Sequence, residues 1–144
     1  LFSIKKGEQK MIHGSCLCKK VKFEISRKPN SLSHCHCSRC RKSTGHQAAF
    51  LIGNIRDFSM TEGVDCLTHY KPEVPWTLTR SFCKHCGSAI GGAEPDAGIY
   101  VVPVSALDDD PGVKPIVHIH VDSKPDWYDI HDDIRQFAGD YIAG

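Results

Sequence analysis

Apolar and polar residues alternate over short stretches of this chain. Val21-Lys22-Phe23-Glu24-Ile25 repeats with period two, the pattern of a strand with one buried face. Ala48 to Ile52 is a short apolar run bounded by Gly45 and Gly53 and predicts a second strand. Leu67 to Tyr70 and Trp76 to Phe82 predict two more, the latter written Trp-Thr-Leu-Thr-Arg-Ser-Phe in clean alternation. Ile99 to Val104 and Ile116 to Val121 complete the set, separated by the turn residues Asp108-Asp109-Asp110-Pro111-Gly112. Helical signals are few. One short helix is predicted after Asp132, which sits where an N-cap would, ahead of Ile134 and Phe137. A single turn is predicted after Cys40. The pattern is that of a mostly β domain with little helix.

Length and composition narrow the class. At 144 residues the chain suits one domain, and 40% hydrophobic with 24% charged residues is ordinary for a globular fold. Its apolar runs are too short for a membrane-spanning helix. Leu1 to Lys10 is lysine-rich and lacks the apolar segment of a secretory signal. Residues 1–10 are therefore expected to be a flexible extension or an expression remnant, and residues 11–144 the single domain, with Met11 a plausible native start. Net charge is +1, but residues 1–42 hold eleven Lys or Arg against two Glu. That basic front could meet nucleic acid or an anionic small molecule, or simply offset thiolate charge nearby.

The cysteines change the picture most. There are eight, and seven fall in three groups: Cys16-Leu17-Cys18, Cys35-His36-Cys37-Ser38-Arg39-Cys40, and Cys83-Lys84-His85-Cys86 followed by Gly87. Cys66 stands alone, expected as a small buried residue or a free thiol. Cysteines at i and i+2 cannot bridge each other without strain, so the crowding argues against a disulfide scaffold. Metal binding needs it, because ligands close in sequence converge on one ion from a single turn. Gly87 can take a positive φ just after its second ligand, which turns backbone N–H groups toward the sulfurs. A thioredoxin-like use of Cys83 and Cys86 lacks the surrounding βαβ pattern, and no iron–sulfur spacing is matched. Two pairs give one closed four-cysteine site for structural zinc. The three-cysteine group falls one ligand short of a tetrahedron. Either water or substrate completes it, as in catalytic zinc, or His34, His36 or His46 does so in a Cys₃His site.

The segments GSCLCKKVKFEI (Gly14 to Ile25), CHCSRCRKSTG (Cys35 to Gly45), RSFCKHCGSAI (Arg80 to Ile90) and KPDWYDI (Lys124 to Ile130) together resemble the glutathione-dependent formaldehyde-activating enzyme family, whose domain is shared with centromere protein V. This resemblance implies an Mss4-like, mostly antiparallel β fold with structural zinc. It implies two Zn²⁺ sites: a structural one at Cys16, Cys18, Cys83 and Cys86, and a catalytic or labile one at Cys35, Cys37 and Cys40. The implied activity is reversible condensation of glutathione with formaldehyde to S-(hydroxymethyl)glutathione, a carbon–sulfur lyase reaction when written backwards. Its partners would be a glutathione-like thiol and an aldehyde. Arg39, Arg41 and Lys42 flank the three-cysteine group and could hold substrate carboxylates, neutralise thiolates or face water.

The remaining polar residues have plainer readings. His118 and His120 share one face of the last predicted strand, expected as its polar side rather than as a metal pair. Trp127 and Tyr128 are expected to anchor the C-terminal segment on the sheet. Asp108 to Asp110 reads as a solvated turn. His34, His36 and His85 adjoin the cysteines as candidate hydrogen-bond donors to the ligands or acid–base groups. The competing function is a non-catalytic, zinc-stabilised module that binds protein or nucleic acid. Nucleic acid is disfavoured, because aromatics do not alternate with basic residues as base-stacking surfaces require. Reduced thiolates point to the cytoplasm.

Overall fold

The computed structural model describes residues 10–140, so that the expected N-terminal extension lies, but for Lys10, outside the described residues. The strands in chain order are β1 (Ile12–Ser15), β2 (Lys22–Ile25), β3 (Ser31–Cys35), β4 (Ala49–Asn54), β5 (Phe58–Glu62), β6 (Leu67–Tyr70), β7 (Arg80–Cys83), β8 (Gly92–Glu94), β9 (Ile99–Pro103), β10 (Val117–Ile119) and β11 (Arg135–Gln136). One helix, α1 (Ser38–Thr44), follows β3. No helix among the described residues is long and apolar enough to cross a membrane.

β1, β2 and β5 form a three-stranded antiparallel sheet, and β6 pairs with β7 in a two-stranded ribbon. Six strands build the largest sheet in the order β11-β10-β3-β4-β9-β8. It is antiparallel from β3 to β8, while β10 lies parallel to both β3 and β11.

The period-two reading of residues 22–25 matches the structure: Phe23 and Ile25 are buried while Lys22 and Glu24 are half-buried. With Val21, Leu32, Leu51, Ile90, Tyr100 and Val102 they form the main core, to which Cys16 and Cys83 also belong. Fully burying each of the large apolar side chains contributes about 1.5–3 kcal/mol. A smaller cluster of Cys35, Cys40, Ala48 and Phe50 packs against Val101 and Ile119. Each group of cysteines is thus rooted in packed apolar side chains.

Four expectations need correction. The strand expected over Trp76–Phe82 exists only from Arg80. β6 ends at Tyr70, opposite Arg80, and is followed by Lys71-Pro72, so no ladder partner extends further. Residues 134–137 form no helix: the Asp132 carboxylate does accept from the Ile134 N–H at 3.0 Å, but Arg135–Gln136 then pairs with β10. His118 and His120 do not share a strand face, because β10 stops at Ile119 and His120 adopts φ 55°. His118 is fully buried rather than solvent-facing. Finally, Trp127 is 71% exposed; Tyr128 does the anchoring, stacked on His36 and edge-on to His46, with its hydroxyl accepting from the Gln47 amide.

The Asp108–Asp110 turn is more than solvated. Asp108 accepts from the Ser15 hydroxyl at 2.7 Å, Asp109 from the His13 N–H at 2.8 Å, and Asp110 from the Gly112 N–H at 2.7 Å. The first two bonds tie the turn to β1, and the third closes the turn itself. Cys66 is half-buried and packs against the main core.

Candidate metal centres and the cleft beside them

The four-thiol group is assembled from two tight turns. Cys16 and Cys18 lie in the β1–β2 turn, and Cys83 and Cys86 lie at the end of β7 and in the turn after it. Their sulfurs all fall within 4.8 Å of one another. Cys16 Sγ and Cys18 Sγ are 3.6 Å apart, and Cys18 Sγ and Cys83 Sγ 3.8 Å. A tetrahedron with zinc–sulfur bonds of about 2.3 Å has edges of about 3.8 Å, so these separations suit one zinc ion. The residue after each pair takes a positive φ, 67° at Lys19 and 77° at Gly87. Backbone donors reach sulfur in both turns: Val21 N–H reaches Cys16 Sγ at 3.3 Å and His85 N–H reaches Cys83 Sγ at 3.4 Å. The glycine-after-cysteine signal therefore pointed correctly to this turn.

The three-thiol group lies where β3 passes into α1. Cys35 ends the strand, Cys37 precedes the helix and Cys40 is in its first turn. Their sulfurs also converge within 4.8 Å, with Cys35 Sγ 3.4 Å from Cys40 Sγ. The Cys35 S–H donates to Cys40, and this bond, with burial, pushes the Cys35 thiol up. The same bond holds the Cys40 thiol down to about 6, helped by the Arg80 guanidinium. Arg80 Nη2 donates to Cys40 Sγ at 3.6 Å and Nη1 to Ser43 Oγ at 2.8 Å. An all-sulfur donor set with one thiolate already favoured suits zinc here too.

No histidine joins the three thiols among the described residues. His34 stacks on His118 with ring centroids 4.7 Å apart. His36 Nε2 shares a hydrogen bond of 2.8 Å with His118 Nδ1, and His118 Nε2 meets the Asp132 carboxylate at 3.0 Å. His46 packs against Trp127 and Tyr128. The three candidates for a Cys₃His site thus belong to a separate aromatic cluster. His85, beside the four-thiol group, contributes its backbone N–H.

A cleft of about 410 Å³ opens over Cys35, Cys37 and Cys40. Arg39, Arg80 and Trp76 line it, and His120, paired with Asp140 at 2.8 Å, stands at its edge. A neighbouring apolar cleft of about 250 Å³ shares Arg80, Phe50 and Leu78 with it. Of the three basic residues marked in the sequence, only Arg39 lines the larger cleft; Arg41 instead donates to the carbonyls of His36 and Ser123, at 2.7 and 2.6 Å. Arg80 escaped the sequence reading. The one available signal was its place in the alternating stretch before Cys83, where period two turns it to the face opposite that thiol.

The profile of a family described as glutathione-dependent formaldehyde-activating enzyme matches residues 11–123. A Halomonas elongata protein, provisionally named a glutathione-dependent formaldehyde-activating enzyme, is 33% identical over 138 residues, which span 90% of this chain and 88% of the relative. A crystal structure of a Rhodobacter sphaeroides protein superposes with a TM-score of 0.56 at 27% identity, covering 72% of this chain and 91% of that one. The match over most of the chain, with the two thiol groups inside it, shows that this protein belongs to the glutathione-dependent formaldehyde-activating enzyme family.

Proposed function

We propose that this chain is a zinc-dependent carbon–sulfur lyase that makes and breaks a small thiol–aldehyde adduct such as S-(hydroxymethyl)glutathione. The observation that carries the reading is the unequal ligand count: four thiols converge in one group and three in the other, and the three-thiol group lies at a cleft. Cys16, Cys18, Cys83 and Cys86 would hold a structural zinc, and Cys35, Cys37 and Cys40 a catalytic or labile one. Zinc held by these three thiolates would supply a Lewis-acidic position that lowers the pKa of a substrate thiol.

The protein's own groups do the rest. Condensation forms one carbon–sulfur bond, opens the aldehyde C=O, and moves the thiol proton to the aldehyde oxygen. Arg80 steadies Cys40 as thiolate, and Trp76, Ile119 and Val101 supply apolar walls to the cleft that the sulfurs line. Arg39 and Arg80 are the arginines of the cleft lining, which also holds the Asp140 carboxylate, and they are the groups that suit an anionic thiol. The reduced thiols that such a site requires suit a reducing compartment, and a cytoplasmic setting is part of this proposal.

The test is NMR exchange between formaldehyde, glutathione and their adduct, with and without zinc-loaded protein. Acceleration that disappears in Cys40→Ser, with dispersed amide resonances retained, supports the reading. Salt-sensitive DNA binding with no acceleration by the parent protein overturns it in favour of a binding module.

A further inference from the structure

The segment from Lys71 to Thr79 joins β6 to β7 and overhangs the cleft, to which Pro75, Trp76, Thr77 and Leu78 contribute walls. It meets α1 through Arg39. The Arg39 guanidinium donates to Glu73 Oε1 at 3.0 Å and lies 4.1 Å over the Trp76 ring. The Tyr70 hydroxyl donates to Glu73 Oε2 at 2.6 Å, so both carboxylate oxygens are engaged. Those contacts keep Glu73 anionic: the Tyr70 hydroxyl first, then its own backbone and Arg39, hold its carboxyl down to about 2. The Arg39 side chain is 22% exposed, whereas that of Glu73 is 57% exposed.

We propose that Arg39 recognises a substrate carboxylate and that Glu73 competes with the substrate for it, so that the cleft selects thiols bearing a carboxylate over neutral ones. The inference rests on the thiol-binding reading of the cleft given above. Arg39 stands between Cys37 and Cys40 in the chain and lines the same cleft as their sulfurs. A molecule with a thiol and a carboxylate a few bonds apart can therefore address both. The planar guanidinium fork matches a carboxylate whether Glu73 or a ligand offers it. Arg80 is held by Cys40 and Ser43, and Arg41 by two backbone carbonyls; of these three arginines, Arg39 is the one paired with an exposed carboxylate. An ion pair with one exposed partner is weak enough for such an exchange.

Trp76 reports the exchange. The chain has two tryptophans, so Trp127→Phe leaves Trp76 as the sole tryptophan, read by excitation at the red edge where tyrosine does not absorb. Zinc-loaded W127F protein is titrated with glutathione, with S-methylglutathione, which keeps the carboxylates but has no thiol, and with 2-mercaptoethanol, which has the thiol alone. The expected result is a change in Trp76 emission with both glutathione compounds and none with 2-mercaptoethanol, because only a carboxylate draws Arg39 off the ring. Glu73→Gln lowers Kd for S-methylglutathione by about two- to five-fold, the worth of an exposed ion pair. Arg39→Gln raises it by about tenfold, the loss of a charge-assisted pair. Equal emission changes with 2-mercaptoethanol, or a Kd for S-methylglutathione that Glu73→Gln leaves unchanged, overturns the proposal. Failure of the lyase reading is a separate result, read as no acceleration of adduct exchange by the parent protein.

Discussion

Arg80 stands at one end of β7 with a guanidinium nitrogen 3.6 Å from the Cys40 sulfur, and the other end of that four-residue strand is Cys83 of the four-thiol group. One short strand therefore touches both candidate metal centres. Replacing Arg80 by Met keeps the apolar stem and removes the donors to Cys40 and Ser43. The expected outcome is zinc affinity about 10- to 100-fold weaker at the three-thiol group, the usual effect of losing a hydrogen bond to a metal ligand. Zinc at the four-thiol group should be unaffected. Competition with a chromophoric chelator separates the two: Arg80→Met releases one ion at lower chelator concentration and the second where the parent does.

The two thiol groups should differ in what their loss does. Cys18 and Cys83 are 65 positions apart, so an ion held by the four-thiol group closes a long loop, where a cross-link restricts the unfolded chain most. Cys16→Ser is expected to cost about 3 kcal/mol or more and to abolish the cooperative urea transition at low zinc. Cys40→Ser should unfold with a near-parental midpoint while holding one zinc fewer. Urea midpoints paired with zinc content check both, and equal destabilisation by the two variants would contradict the division of roles.

How much of this was legible depends on the range of the interactions. The thiol groups were readable because their ligands lie two or three residues apart, and Gly87 because a tight turn needs its positive φ. Lys22–Ile25 was readable from alternation, and Leu67–Tyr70 was also expected as a strand. β1 and β3 were not, since their buried positions include Gly14, Ser15 and Ser33, which carry no apolar signal. The partners of their histidines, Asp109 for His13 and His118 for His34, are far away in the chain. The alternation of Trp76 to Thr79 misled because Trp76 and Leu78 face the cleft rather than a sheet. Arg80, Glu73 and Asp132 act on Cys40, Arg39 and His118 across 40, 34 and 14 positions. Spacing along the chain carries no trace of such pairings.

His118 tests one of these distant links. It is fully buried, and its two ring nitrogens bridge His36 and Asp132. His118→Ala removes the bridge, leaves the buried His36 ring without that partner and opens a cavity, at an expected cost of about 2–4 kcal/mol. Asp132→Asn keeps an acceptor for His118 and should cost about 1 kcal/mol or less. Urea denaturation of zinc-loaded protein orders the two, and similar losses would place the weight on Asp132 instead.

Tyr100 and Gly53 pair directly across β4 and β9, and the ring covers the glycine so closely that a Cβ there would come within 2.3 Å of the hydroxyl and 2.4 Å of a ring carbon. The hydroxyl is buried and has no hydrogen-bond partner among the described residues. Removing an unsatisfied buried polar atom without changing the ring should be neutral or stabilising, so Tyr100→Phe is expected to match or exceed the parental urea midpoint at pH 7. Gly53→Ala should cost about 1–3 kcal/mol by overpacking, and Tyr100→Phe should not rescue it, because the ring carbons stay. The pH dependence follows from the same burial, which, with the charge of Asp57, pushes the Tyr100 hydroxyl up to about 12 from its ordinary value of 10.0. The folded protein keeps this proton where the unfolded chain has released it. The stabilisation is thus complete below pH 10 and is lost as pH rises toward about 12, on the order of 2 kcal/mol in all. Tyr100→Phe lacks that loss, so the gap between its stability and the parent's should widen across this window. A constant gap would show that the hydroxyl ionises as readily in the folded protein as in the unfolded chain.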